Sequence, residues 1–82
     1  MVQDSIDPLI LGHRVRYYRR RAGLTLDQLG EAVGKPAPYL SMLENGRNEP
    51  RLGLINALAE ALDVGAGELL LQDAPSKRSR LE

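Results

Sequence analysis

Apolar residues recur at helical spacing through most of the chain, and nowhere do they alternate as a half-buried strand requires. Asp7-Pro8 reads as a helix N-cap followed by proline at the first helical position, where its missing N–H does no harm. From there Leu11, Val15 and Tyr18 make one stripe, and Gly23 supplies a stop, so a first helix is expected over about 8–22. Tyr18 is read as core, while Arg14, Arg16, Arg20 and Arg21 lie mostly off the stripe. Thr25-Leu26-Asp27-Gln28 is a capping box with Asp27 near the positive helix end, and Leu26, Leu29 and Val33 continue a second helix to Gly34. Leu40 and Leu43 begin a third stripe, ended by Asn45-Gly46. The strongest pattern follows the loop 47–50, with Leu52, Ile55, Leu58, Ala59 and Leu62, until Asp63-Val64-Gly65 breaks it. Residues 66–71 form a last short helix with Leu69 and Leu70 inward.

The expected fold is therefore all-α, a compact bundle of five helices. Its second and third helices, joined by a tight glycine-containing turn, make a helix-turn-helix unit. Residues 1–7 read as an N-terminal arm, 8–71 as the folded domain, and the polar stretch 72–82 as a flexible tail or the start of a linker.

Composition narrows the function more than the fold. A chain of 82 residues, with 43% hydrophobic and 27% charged side chains, makes one small domain with a thin core and little room for a catalytic cleft. No apolar run reaches the roughly 18–20 residues of a membrane span. Cysteine is absent and His13 is the single histidine, so thiolate and multi-histidine metal sites are excluded and a reducing cytosol is the expected setting. No metal and no cofactor are expected, and the balance leans from enzyme to binding module.

The formal net charge is zero, yet the charges are segregated. Residues 8–51 carry eight bases against four acids, and 52–75 carry four acids and no base. A basic front half suits a polyanion as well as it suits a solvated surface. Individual residues divide in the same way. Arg20 and Arg21 fit either a phosphate contact or solvent, and His13 reads as an exposed helix residue. Asp27 and Glu31, four apart, read as a solvated face rather than a carboxylate pair, since nothing completes a catalytic site. Ser41 has no base partner that would make it a nucleophile. Met42 lies off the Leu40/Leu43 stripe and is expected to point outward. Leu71 fits either dimer packing or a C-terminal plug.

The ordered string Leu11-Gly12-His13-Arg14-Val15-Arg16, Arg19, Gly23-Leu24-Thr25, Leu29, Val33-Gly34, Tyr39-Leu40-Ser41, Leu43-Glu44-Asn45-Gly46-Arg47, Pro50 and Leu58-Ala59-Glu60-Ala61-Leu62 carries more than any one motif. With it, residues 11–70 resemble the phage-repressor group of helix-turn-helix DNA-binding domains, the Cro/Xre-like family. The resemblance implies a sequence-specific transcriptional regulator, or its DNA-binding domain, that places its third helix in the major groove of double-stranded DNA. It also implies a homodimer on a two-fold symmetric operator. Carried over position by position, the base-reading set is Pro36, Ala37, Pro38 and Met42, with Ser41 and Asn48 at the margins. Backbone contacts fall to Thr25, Tyr39, Asn45, Arg47, Arg51, Arg20 and Lys35, and Arg19 with Glu44 matches a family ion pair.

Departures from the family pattern qualify that transfer. Leu26 stands where the family often has Gln after the helix-2 cap, which removes a polar DNA contact. Pro36 stands where Ser or Thr often caps the third helix. Because Ala37 precedes proline, this helix is expected to start at Pro38 with Ala37 outside it. Gly30 replaces a usual Ala at the helix 2–3 contact. The competing reading is a protein-interaction module, such as a toxin antidote or a transcription adaptor, because the third helix bears no basic side chain. Signal sensing is expected in an effector or partner domain outside this sequence.

Overall fold

A computed structural model describes residues 6–72, which form five helices and no strand. They are α1 (Pro8–Arg21), α2 (Leu26–Val33), α3 (Ala37–Glu44), α4 (Leu52–Leu62) and α5 (Ala66–Leu70). The all-α, five-helix expectation holds. Of the predicted arm and tail, residues 1–5 and 73–82 lie outside the described residues.

Local chemistry sets most of the helix ends. Asp7 accepts from the Leu9 N–H at 2.9 Å, with Pro8 opening α1. Three arginines in the last turn of α1 complement its carbonyl end. Thr25 Oγ1 accepts from the Gln28 N–H at 3.0 Å while Gln28 Oε1 accepts from the Thr25 N–H at 2.9 Å, the reciprocal capping box read in the sequence. Gly34, at φ 75°, closes α2.

The start of α3 differs from expectation by one residue. Ala37 is its first helical residue and Pro36 is the N-cap, with no side-chain cap. The Pro36 carbonyl accepts from Tyr39 N at 3.0 Å and Leu40 N at 3.2 Å, and these two bonds draw Ala37 into the helix. The bias of a residue before proline against the α region is a preference, and the small Ala37 side chain keeps the clash with the Pro38 ring low. Pro38 then occupies a first-turn position whose N–H has no intrahelical acceptor in any helix.

The core gathers Leu11 and Val15 of α1, Leu29 of α2, Leu40 and Leu43 of α3, four residues of α4 (Ile55, Leu58, Ala59, Leu62) and Leu69 of α5. Tyr18 packs against it, as expected. Leu52, read as part of the α4 stripe, is instead 61% exposed, and Leu54 packs inward. As the first residue of α4, Leu52 overhangs the end of the buried face.

Arg14 is the larger correction, because it is buried rather than off the stripe. α1 is covered on two sides. On one, Arg14 Nη1 donates to the Glu68 carbonyl of α5 at 3.3 Å, and Tyr18 Oη lies 3.1 Å from Glu68 Oε1. Burial, and then the hydrogen bond to Glu68, raise the Tyr18 phenol above its ordinary value, so it remains the neutral donor in that bond. On the other side, buried Gly12 lets the backbone of α3 come close. Gly30 does the same between α2 and the turn before α3, since a Cβ there would collide with the Lys35 carbonyl oxygen. The chain ends of the domain also meet: the Asp7 N–H donates to Gln72 Oε1 at 3.0 Å.

Candidate nucleic-acid interface

α3 turns Leu40, Leu43 and Glu44 inward, which leaves Pro38 and Met42 on its outer face, Met42 being 47% exposed. Ala37, Tyr39 and Ser41 are half-buried along its flanks, and Pro36 is exposed just before it. This face has shape and methyl groups and few hydrogen-bond donors. Lys35, exposed in the preceding turn, holds its Nζ 4.9 Å from the Tyr39 ring centroid. That cation–π contact stations a positive charge at the N-terminal end of the outer face of α3.

Hydrogen-bond donors are exposed on the elements around α3. Thr25 is exposed at the tip of α2; its Oγ1 accepts from Gln28, so the hydroxyl hydrogen remains available to an outside acceptor. Asn45 is the exposed C-cap of α3, and Arg47 and Arg51 are exposed in the loop that follows. Arg20 is exposed near the end of α1, whereas Arg21 folds back, its Nη1 donating to Tyr17 Oη at 2.8 Å. Asp27 and Glu31 are exposed, as a solvated face would be, and so is His13. Asn48 is placed differently from the other base-reading candidates. Both its amide atoms are shielded from solvent without a hydrogen-bond partner, so it reaches a base edge only if the side chain swings out of the loop.

A buried charge cluster holds α3 at its C-terminal end. Glu44, whose side chain is 2% exposed, takes a two-point contact from Arg19, with Nε to Oε2 at 2.6 Å and Nη2 to Oε1 at 3.0 Å. Arg19 is 11% exposed, and its Nη1 also donates to the Leu24 carbonyl at 2.9 Å, so one guanidinium ties α1 to α3 and to the turn before α2. The hydrogen bonds to Glu44 raise the Arg19 pKa against the opposing effect of burial.

Arg16, to which the sequence assigned no role, is the third member. Its Nε lies 3.2 Å from Glu44 Oε1, and its Nη2 donates to Asn45 Oδ1 at 3.0 Å. The missed signal is spacing: Gly12, Arg16 and Arg19 lie four and three apart, on one face of α1, and that face meets α3. Among the described residues no group of three His, Cys, Asp or Glu side chains could hold a metal ion, and no helix is long and apolar enough to cross a membrane.

Comparison with known proteins places this geometry. Residues 10–71 match the family model described as a helix-turn-helix domain. SinR of Bacillus subtilis, an HTH-type transcriptional regulator, is 32% identical over 62 residues, which cover 74% of this chain and 56% of SinR. The chain thus spans little more than half of that relative's length. Among solved structures, the clp gene regulator ClgR of Corynebacterium glutamicum superposes with a TM-score of 0.81 at 30% identity, covering 96% of this chain and 84% of that one. The P22 c2 repressor, in complex with a synthetic operator, superposes with a TM-score of 0.72 at 30% identity, covering 78% of this chain and 97% of that one.

Proposed function

The chain belongs to the helix-turn-helix family of DNA-binding transcriptional regulators, with the five-helix fold of the phage-repressor group, and on that premise we propose that it acts by occupying a two-fold symmetric operator as a dimer. It is a binding protein in this reading, working in the cytosol on the nucleoid, with no catalytic step. Thr25, Asn45, Arg47 and Arg51, with Arg20, Lys35 and Tyr39, hold phosphates and fix the register. The outer face of α3, with Pro36, Ala37, Pro38, Ser41 and Met42, lies against base edges. Asn48 joins them once it swings out.

The observation that carries the reading is the exposed outer face of α3, accompanied by exposed donors at Thr25 and Asn45, whose neighbours Leu24 and Glu44 are both bonded to Arg19. The test is selection of bound sequences from random duplex DNA, followed by a salt titration on the recovered site. If about six phosphates are neutralised per dimer, the log–log slope of affinity against salt is about −5. The two half-sites are expected roughly 34 Å apart on one face of the duplex. A flat titration, or one-to-one binding to an asymmetric site, counts against the reading. Failure to recover any site would favour the protein-interaction alternative, which rests on the lack of a basic side chain on α3.

The apolar recognition face makes a second expectation. Met42 and the prolines cannot donate to base edges, and their natural partner in the major groove is the thymine C5-methyl group. Replacing thymine with uracil in the recovered site deletes that methyl alone. Loss of one buried methyl contact, about 0.8 kcal/mol, lowers affinity about fourfold per half-site. Met42→Ala is expected to lose a similar factor and to become insensitive to the uracil change. Unchanged affinity at every thymine, with Met42→Ala also silent, would mean that α3 reads bases in another way.

A further inference from the structure

The Asn45 side chain is held from both sides at the end of α3. Its Oδ1 accepts from Arg16 Nη2 at 3.0 Å, and its Nδ2 donates to the Ser41 carbonyl at 2.8 Å. A guanidinium only donates and a carbonyl only accepts, so these two partners leave one orientation for the amide. The Nδ2 group has two hydrogens and Ser41 takes one of them. The second is therefore left to an acceptor from outside, on a residue that is exposed.

The ionised side chains gathered beside that hydrogen carry a net positive charge. Arg16 and Arg19 share one buried carboxylate, Glu44, so two cations stand against one anion. Arg19 is nearly enclosed, whereas Arg16 is 35% exposed and has N–H groups beyond those given to Glu44 and Asn45. The uncompensated charge thus sits on the Arg16 side, next to the outward Asn45 hydrogen. An exposed amide donor locked beside a half-exposed guanidinium selects an anionic oxygen over a neutral one. The side chain is also ordered before any ligand arrives, which removes an entropic penalty from binding.

We infer that Arg16 and Asn45 form a single phosphate clamp on the DNA backbone, in which Arg16 supplies charge and also positions the Asn45 amide to donate to a phosphodiester oxygen. The inference rests on the proposed DNA-binding reading and deepens it. It assigns Arg16 a role in recognition beyond its ion pair with Glu44. Arg16 here is a positioning residue as well as a contact.

The test is a double-mutant cycle on affinity for the duplex recovered by selection, with thermal unfolding of each variant as the folding control. Asn45→Ala is expected to lose about tenfold in affinity without changing the salt slope, since a neutral donor is removed. Arg16→Met is expected to lose at least as much and to reduce the slope by about one per protomer. Arg16→Lys keeps the charge beside Glu44, but its single ammonium cannot span both Glu44 and Asn45 as the fork does. It serves where Arg16→Met unfolds, and is expected to lose the same factor as Asn45→Ala with the slope retained. In either Arg16 variant, adding Asn45→Ala is expected to lose little more. Additive losses would overturn the clamp by making the two residues independent contacts. Affinity unchanged in folded Arg16 variants would reduce Arg16 to a structural partner of Glu44. Failure of the unmutated protein to bind any recovered duplex would instead overturn the DNA-binding reading itself, and the clamp with it.

Discussion

Glu44→Ala is expected to destabilise the domain by about 3–5 kcal/mol, because it leaves a nearly enclosed guanidinium without its counter-ion. Arg19 is 11% exposed and faces the protein through Glu44 and the Leu24 carbonyl. Without the carboxylate it must stay charged in a site that water barely reaches, or pull away and open the joint between α1, α3 and the turn before α2. In a domain of this size each 1 kcal/mol shifts Tm by about 4–8 °C. A loss of well over 10 °C is therefore the expected reading in a thermal melt, with denaturant titration giving the free energy. Glu44→Gln keeps the volume and one acceptor oxygen and is expected to recover part of the loss. Arg16→Ala, which removes a more exposed partner 3.2 Å away, is expected to lose under about 1 kcal/mol. A cycle on Arg19→Ala and Glu44→Ala is expected to show strong coupling. Coupling within about 1 kcal/mol would mean that the pair behaves as a solvated surface contact.

The readability of this fold from its sequence follows the range of the interactions. Helix starts and stops were legible where one residue and its near neighbours decide them. Asp7-Pro8, the box from Thr25 to Gln28 and the left-handed Gly34 each close a few bonds within their own turn. The start of α3 falls one residue before the position the sequence predicts, because two prolines leave two competing local solutions and the bonds to the Pro36 carbonyl choose between them. Burial of Arg14 was not legible at all. One of its acceptors is the carbonyl of Glu68, fifty-four residues away, and no apolar periodicity encodes a hydrogen bond to a distant backbone. Leu52 failed in the opposite sense, since it keeps the period but sits where the core has ended. At the candidate interface, the apolar character of the α3 face could be read from Pro38 and Met42 alone. The shielding of Asn48 and the grip of Arg16 on Asn45 depend on how a loop and a neighbouring helix pack, so they emerged only in three dimensions.

Gly12→Ala separates local propensity from tertiary packing more sharply than any other single change. By helix propensity alone it should stabilise α1 by about 0.5–1 kcal/mol, as glycine in a helix interior is unfavourable. A Cβ at Gly12, however, would point into the carbonyl oxygens of Leu43 and Glu44 in the last turn of α3. Neither obstacle is a flexible side-chain end. The Leu43 carbonyl also accepts from the Gly46 N–H at 3.1 Å, so it cannot move without disturbing the turn that leads to Arg47. Relief must come from separating α1 and α3, which thins the core around Leu11, Val15 and Leu43 and stretches the Arg16 and Arg19 contacts to Glu44. Overpacking typically destabilises by about 1–3 kcal/mol, and a backbone obstacle puts this substitution at or above the upper end. Gly53→Ala, in α4, is the control, since nothing lies within 4 Å of the Cβ built there. It is expected to gain the few tenths to about 1 kcal/mol that propensity promises. Denaturant unfolding of the two variants should therefore move in opposite directions. DNA affinity should fall for Gly12→Ala even where the protein remains folded, because the displaced end of α3 carries Asn45 away from the phosphate contact proposed for it. A neutral or stabilising Gly12→Ala would mean that α1 and α3 approach less closely in solution, and the registry between Arg16 and Asn45 would loosen with them.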